Sequence, residues 1–381
     1  MRIFSLGWFI IGNWLFFALM FISPFQMGVL ESISFAIGMI LEIPSGAIAD
    51  LLGKKKTIQL GLLMQTVGIG MFMLASWSPI FIWVGNIITI GAFAFLSGSL
   101  EALVYDSMVE EKKEQFYDYV ASRSSAIFPI VSILTALAGG IMWKYNIYLP
   151  WIATTIAFLI ALIISTKLTE PKVDTFTFSW KQFIKQNQVG LNQLMKPDLL
   201  IFIPVLLILL ASYHMWNAGI VRIFMGEQFG YDGETLSYLI SLVMVFSSVA
   251  VILFHKIKKR LGDSTGLLLL SVLSAFGWLV AGLFDNNLWW GFIAFLLLGV
   301  IGELSDLWRT TIVNRHVESK YRATSISTMQ FFIQIPYAVI AVFFGFLIEN
   351  NFVKLFYLGT FSLILIVSLT SFIYNKIGSK E

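Results

Sequence analysis

The sequence contains no cysteine, which removes disulfides, thiolate metal sites, thiol nucleophiles and palmitoyl anchors together. It is also poor in charge: Asp, Glu, Lys and Arg make up only 12% of 381 residues, and the net charge of +3 implies neither nucleic acid nor an acidic partner. Its three histidines, His214, His255 and His316, stand too far apart for a two-histidine helical metal motif, and no Gly-rich phosphate loop follows a strand-like run. Enzyme chemistry therefore has little to stand on, and no cofactor or metal is expected. What the chain has in abundance is apolar surface, with 58% hydrophobic residues and a mean hydropathy of +0.84. That lies far outside the range of soluble domains and is the composition of an integral membrane protein, whose first partner is the lipid bilayer.

A helix needs about 20 apolar residues to cross a hydrocarbon layer roughly 30 Å thick. Twelve such segments are predicted, over 3–22, 26–49, 57–77, 80–105, 120–143, 148–166, 198–222, 235–255, 264–284, 288–312, 322–347 and 352–374. The first follows Met1-Arg2 directly, yet it is too long for a signal-peptide core and no small-residue cleavage site follows it, so it reads as a spanning helix. Between the sixth and seventh segments the chain turns polar, giving an N-terminal six-helix bundle (1–166), a linker (167–197) and a C-terminal six-helix bundle (198–381). In the linker Trp180, Phe183, Ile184, Leu191, Leu194 and Met195 recur at near-helical spacing among Lys and Gln, as expected of an amphipathic helix at a membrane surface. With the N-terminus inside, 22 of the 25 Lys and Arg fall on the cytoplasmic face, so both termini are expected to be cytoplasmic in the plasma or inner membrane.

The halves resemble each other. LLGKKKTIQLGLL after span 2 aligns with RLGDSTGLLLLSV after span 8, pairing Gly53 with Gly262; Asp106 aligns with Asp306 and Arg123 with Arg322. Two six-helix repeats joined by a polar linker are the organisation of a transporter whose site lies between the repeats.

The stretch GAIADLLGKKKTI, placed between spans 2 and 3, resembles the signature G-x-L-A-D-R-x-G-R-K-x-x-L of the major facilitator superfamily. Gly46, Ala49, Asp50, Gly53 and Lys55 match, Ile48, Lys54 and Ile58 are conservative replacements, and Leu51 replaces the usual arginine. EIPSG before it and SGSLEALVYD after it are similar to the drug-exporter-like bacterial branch. The resemblance implies an all-α fold of twelve transmembrane helices in two pseudo-symmetric bundles. It also implies that Gly46, Asp50, Gly53, Lys54 and Lys55 form a latch stabilising the outward-facing state. The branch's arginine within R-x-x-x-G is missing from NIITIGAF, and of G-P-x-x-G-G only Gly139 and Gly140 remain, within TALAGG.

Charges inside a bilayer are costly and usually face a cavity or a partner. Spans 3, 6, 9 and 12 have uncharged centres, as suits helices facing lipid. Glu31 and Glu42 lie about three turns apart on one face of span 2, and Glu42, the deeper, is the better candidate to bind and release protons. A structural salt bridge from Glu42 to Arg123 is the alternative. Glu303, Asp306 and Arg309 form one stripe on span 10, read as an ion-pair gate, with Glu101, Asp106 and Arg123 as its counterpart in the first half. For the substrate, Asn13, Trp14, Tyr213, His214, Trp216, Asn217, Gln330 and Gln334 together describe a mixed aromatic and polar pocket for an amphiphilic small molecule. Any one of them also fits a helix–helix hydrogen bond. A hydrolase would need Ser97 or Ser99 beside a base, and nothing in the sequence puts His214 there. The expectation is a monomeric, proton-coupled exporter of a small organic compound; nutrient import and a non-transporting receptor or scaffold are the alternatives.

Overall fold

The structure, a computed structural model, describes residues 2–96, 99–171, 180–318 and 322–378. Some side chains within its helices lie outside that description, including those of residues 2–3, 42–44, 46–52, 121–122, 124–126 and 180–184. Every regular element among the described residues is a helix. Apart from a short 3-10 turn at Glu114–Phe116, these are in order Arg2–Ser5 (α1), Trp14–Ala18 (α2), Pro24–Leu52 (α3), Lys54–Phe72 (α4), Ile80–Leu96 (α5), Ser99–Glu110 (α6), Tyr117–Tyr145 (α7), Leu149–Ser165 (α8) and Trp180–Leu194 (α9). Then follow Pro197–Leu200 (α10), Ile203–Asn217 (α11), Ile220–Phe229 (α12), Gly233–Leu261 (α13), Asp263–Leu283 (α14), Leu288–His316 (α15), Arg322–Glu349 (α16) and Val353–Gly378 (α17). Among the described residues, eight helices are long and apolar enough to cross a membrane, or nine if the bent pair α11–α12 counts as one. The chain divides into two compact units, Met1–Ser179 with Gly233–Ser241, and Trp180–Asp232 with Leu242–Glu381.

Lipid tails are as apolar as leucine, so helices in a bilayer hold together by close packing and hydrogen bonds rather than by hydrophobic burial. In the first unit α4 and α5 meet at Gly68 and Gly85, where a Cβ on Gly85 would lie 2.6 Å from the Gly68 carbonyl oxygen. Nearby the ring of Phe72 stacks on buried Trp151 of α8 at 4.4 Å. In the second unit Trp308 of α15 lies against Gly266 of α14, and Gly282 lies against Leu358 of α17. Outward faces are apolar, as with Leu134 and Ile252, which are 60% and 80% exposed.

Two predicted spans take a different form. Residues 3–22 are not one helix: α1 and α2 are short, and i−3 turns such as Gly7 N–H to Phe4 O and Asn13 N–H to Ile10 O fill the interval. Non-helical backbone at membrane depth needs protein partners, and it finds them here. The Phe9 N–H donates to Thr154 Oγ1 at 3.1 Å, the Asn13 amide donates to the Gly139 carbonyl at 3.3 Å, and a Cβ on Gly139 would overlap the Phe9 carbonyl. Gly139→Ala is therefore expected to lower stability by about 1–3 kcal/mol, the range for overpacking. Gly359→Ala, where a Cβ meets nothing within 4 Å, should leave the unfolding temperature of the detergent-purified protein unchanged. The second case is 198–222, where the helix breaks at Ala218–Gly219 and α11 and α12 bend by 69°. Gly219 has φ +132°, which L side chains rarely adopt.

The amphipathic segment forms α9, which packs on α16 with Leu194 buried. Leu191 and Met195 of the predicted apolar set are exposed, and the side chains of Trp180, Phe183 and Ile184 lie outside the described residues.

Candidate functional site

The basic loop after α3 is built around Gly53, whose φ of +91° turns the chain into α4. Helix N-termini carry unpaired N–H groups and partial positive charge, and Lys54, Lys55 and Lys56 add three cations there. Glu170, from the polar stretch after α8, offsets both: its carboxylate accepts from the Lys54 and Lys55 N–H groups at 2.6 and 2.7 Å. A Cβ at Gly53 would lie 2.8 Å from that carboxyl carbon, so the glycine also makes room for the acid. The Lys55 ammonium donates to the Thr166 carbonyl at 2.9 Å, and Lys54 forms an ion pair with Asp106 of α6. The surroundings of Gly46 and the side chain of Asp50 lie outside the described residues.

The second unit repeats this joint with its charges exchanged. Gly262, φ +71°, starts α14, and Asp263 of the first turn pairs with Arg315 of α15 at 2.7 Å and Lys258 at 3.0 Å. Each partner is offset by 209 residues between halves: 53 and 262, 54 and 263, 106 and 315. Lys54–Asp106 and Asp263–Arg315 are thus the same bridge with opposite polarity, and in this register Asp106 corresponds to Arg315 rather than to Asp306.

The carboxylate of Glu31 on α3 is buried, 2% exposed, and accepts from the Asn86 amide of α5 at 3.0 Å; that amide also donates to Ser34 Oγ at 3.0 Å. The side chain of Glu42 lies outside the described residues. Glu101 is exposed on α6. Arg123 stands 4.5 Å over the Tyr119 ring while Asp106 is engaged by Lys54, so the described contacts do not gather Glu101, Asp106 and Arg123 into one group. Asn13 is fully buried, its amide engaged by the Gly139 carbonyl, and Trp14 beside it is half-buried. Among the described residues no group of three or more His, Cys, Asp or Glu is placed to hold a metal ion.

The second unit gathers more of the expected residues. α15 has 29 residues, about 43 Å at roughly 1.5 Å per residue, and Glu303 sits at its middle. Gly302 lets the Tyr213 ring of α11 lie flat on the α15 backbone, since a Cβ at 302 would overlap that ring. The Tyr213 hydroxyl then donates to Glu303 at 2.7 Å. Glu303 itself is exposed on the surface of the unit. A charge at this depth costs about 2.5–3.5 kcal/mol against acyl chains on insertion scales.

The predicted stripe divides. Arg309 pairs with Asp306 at 2.6 Å and donates to the Gln330 carbonyl of α16 at 2.6 Å, which leaves Glu303 outside the pair. Gln334, one turn beyond Gln330, is half-buried. Trp216 is buried against Phe295, with ring centroids 5.4 Å apart, and Tyr213 lies 6.2 Å from it. His214 meets the Tyr337 ring edge-on at 5.7 Å. At the α11–α12 break Arg222, buried at 5% exposure, donates to Asn217 Oδ1 at 3.0 Å and lies over the Trp216 ring.

Sequence reasoning passed over Asn86, Glu170, Asp263 and Arg315. The last two were within reach of the Gly53–Gly262 alignment, extended at constant offset. Asn86 and Glu170 carried no pattern, because each meets its partner through folding alone.

Comparison with known families matches residues 204–377 to the Major Facilitator Superfamily. A comparison with curated protein sequences returns no match. Solved structures similar to this chain include the nucleoside transporter NupG, with TM-score 0.73 and 12% identity over 97% of this chain and 96% of that one. A POT family transporter in complex with 5-aminolevulinic acid gives TM-score 0.71 and 12% identity over 98% and 95%. A D-xylose-proton symporter gives 0.66 and 14% over 97% and 95%. With the apolar helices, these likenesses indicate the fold of a multi-pass membrane protein. Along its length the chain has the twelve-helix fold of the major-facilitator transporters, and over residues 204–377 it matches that family's sequence pattern.

Proposed function

We propose that the chain is a secondary active transporter that moves a small organic molecule across the cell membrane by alternating access, as a monomer with both termini cytoplasmic. The observation that carries this reading is Glu303, a carboxylate at mid-helix depth, open on the surface of its unit and held by the Tyr213 hydroxyl. A charge placed there is costly anywhere except along a water-accessible path. Proton-coupled export is the finer reading. It draws on the drug-exporter-like motifs around the loop and on Glu31, a buried carboxylate with a neutral amide donor, as the group that exchanges the proton. Glu42, on the same helix as Glu31, and Glu101, on α6, are the further candidates, and the α3–α4 junction of Gly46, Asp50, Gly53, Lys54 and Lys55 acts as the latch.

The experiment is accumulation of a broad compound panel in everted vesicles, with and without an imposed proton gradient. Export with proton exchange predicts accumulation that collapses when the gradient is dissipated; accumulation only in right-side-out vesicles would make the protein an importer. Glu31→Gln keeps the hydrogen-bonding shape and removes the charge. It is expected to leave the protein folded and to abolish the response to the gradient, and an unchanged response takes Glu31 out of the coupling role.

A further inference from the structure

We propose that Glu303 recognises a cationic group, so that the transported molecule is an amine or another organic cation. The proposal rests on the transport reading and deepens it by naming the substrate class.

Four observations meet at this residue. The carboxylate is exposed on its unit at the middle of α15. It takes part in none of the described ion pairs, because the nearest base along the helix, Arg309, is held by Asp306 at 2.6 Å and by Gln330 at 2.6 Å. Its described hydrogen-bond donor, the Tyr213 hydroxyl at 2.7 Å, is neutral and fixes the carboxylate without cancelling its charge. Beside it stands the Tyr213 ring, held on the α15 backbone by Gly302, while Trp216, 6.2 Å from that ring, is buried and already covered by Arg222. An exposed anion beside an aromatic ring is an arrangement that attracts ammonium and quaternary cations and repels carboxylates. Of the three residues expected to form an ion-pair gate, Asp306 and Arg309 pair with each other, and Glu303 is in none of the described ion pairs.

The test uses probes matched in shape and opposite in charge: tetraphenylphosphonium against tetraphenylborate, and phenethylamine against 3-phenylpropanoate. Binding to the detergent-purified protein is measured by calorimetry. The expected result is binding of at least one cation, no binding of the anions, and a tenfold or greater loss of cation affinity in Glu303→Gln. Glu303→Asp should recover part of that loss. Removing a charge at this depth does not threaten the fold, and a thermal melt of the glutamine variant checks this. Preference for the anions, cation affinity unchanged in Glu303→Gln, or no binding by any probe overturns the proposal. Flux in proteoliposomes separates the two readings. Transport of neutral or anionic compounds untouched by Glu303→Gln removes the cation assignment and leaves transport standing. Cation binding without flux of any probe removes the transport reading and leaves the site.

Discussion

Reversing either charge of the Lys54–Asp106 pair alone is expected to cut transport by tenfold or more, and reversing both, Lys54→Asp with Asp106→Lys, to restore about half of it. The two side chains are 16% and 14% exposed, and breaking a pair largely withdrawn from water strands a charge, at a cost of up to about 3–5 kcal/mol for a fully buried one. Two like charges would then sit at the joint between α4 and α6. The exchanged pair is an arrangement that the protein already uses, since Asp263 and Arg315 form the same bridge with opposite polarity in the other half. Recovery falls short of complete because an aspartate at position 54 would face Glu170, whose carboxylate caps the same helix end. Adding Glu170→Gln to the exchanged pair should raise transport further. Initial rates in vesicles, normalised to protein amount, are the measurement. An exchanged variant no better than either single reversal would show that the bridge itself is not what matters.

Gly302→Ala should be the most damaging single-carbon change in the second unit. The added methyl overlaps the Tyr213 ring, so the ring must leave α15 and take its hydroxyl away from Glu303. A loss of transport of tenfold or more is expected, with a stability cost of about 1–3 kcal/mol from overpacking. In a Tyr213→Ala background the same change should cost nothing further, because the ring it strikes is gone. Equal losses in both backgrounds would place the damage elsewhere.

The fold was largely legible because membrane burial writes long apolar runs into a sequence, and ten of the twelve predicted segments fall on helices, the exceptions being 3–22 and 198–222. What failed to show is instructive. The first segment is as oily as the others, yet its path depends on Gly139 and Thr154, far away in the sequence, offering room and a hydroxyl. Span 9, uncharged at its centre, reads as a lipid-facing helix, whereas 61% of its apolar window is buried. Gly266, Gly277 and Gly282 let α15 and α17 close over it. Absence of charge reports tolerance of an apolar medium and cannot separate lipid from protein interior. At the site, Tyr213, Trp216, Gln330 and Glu303 were visible as polar or aromatic residues in oily surroundings. Spacing alone already favours Asp306, three residues from Arg309, over Glu303, six residues away; the Tyr213 partner of Glu303 was not legible, because it comes from another helix.

The irregular first segment has a consequence for how the chain is made. The groups that receive Phe9 and Asn13 are synthesised 145 and 126 residues later, roughly 6–30 s at about 5–20 residues per second. During that interval amides of the nascent first segment lack the partners they have in the finished protein. The segment must either borrow a continuous helix for its own insertion and unwind afterwards, or wait beside the translocation machinery until α7 and α8 emerge to claim it.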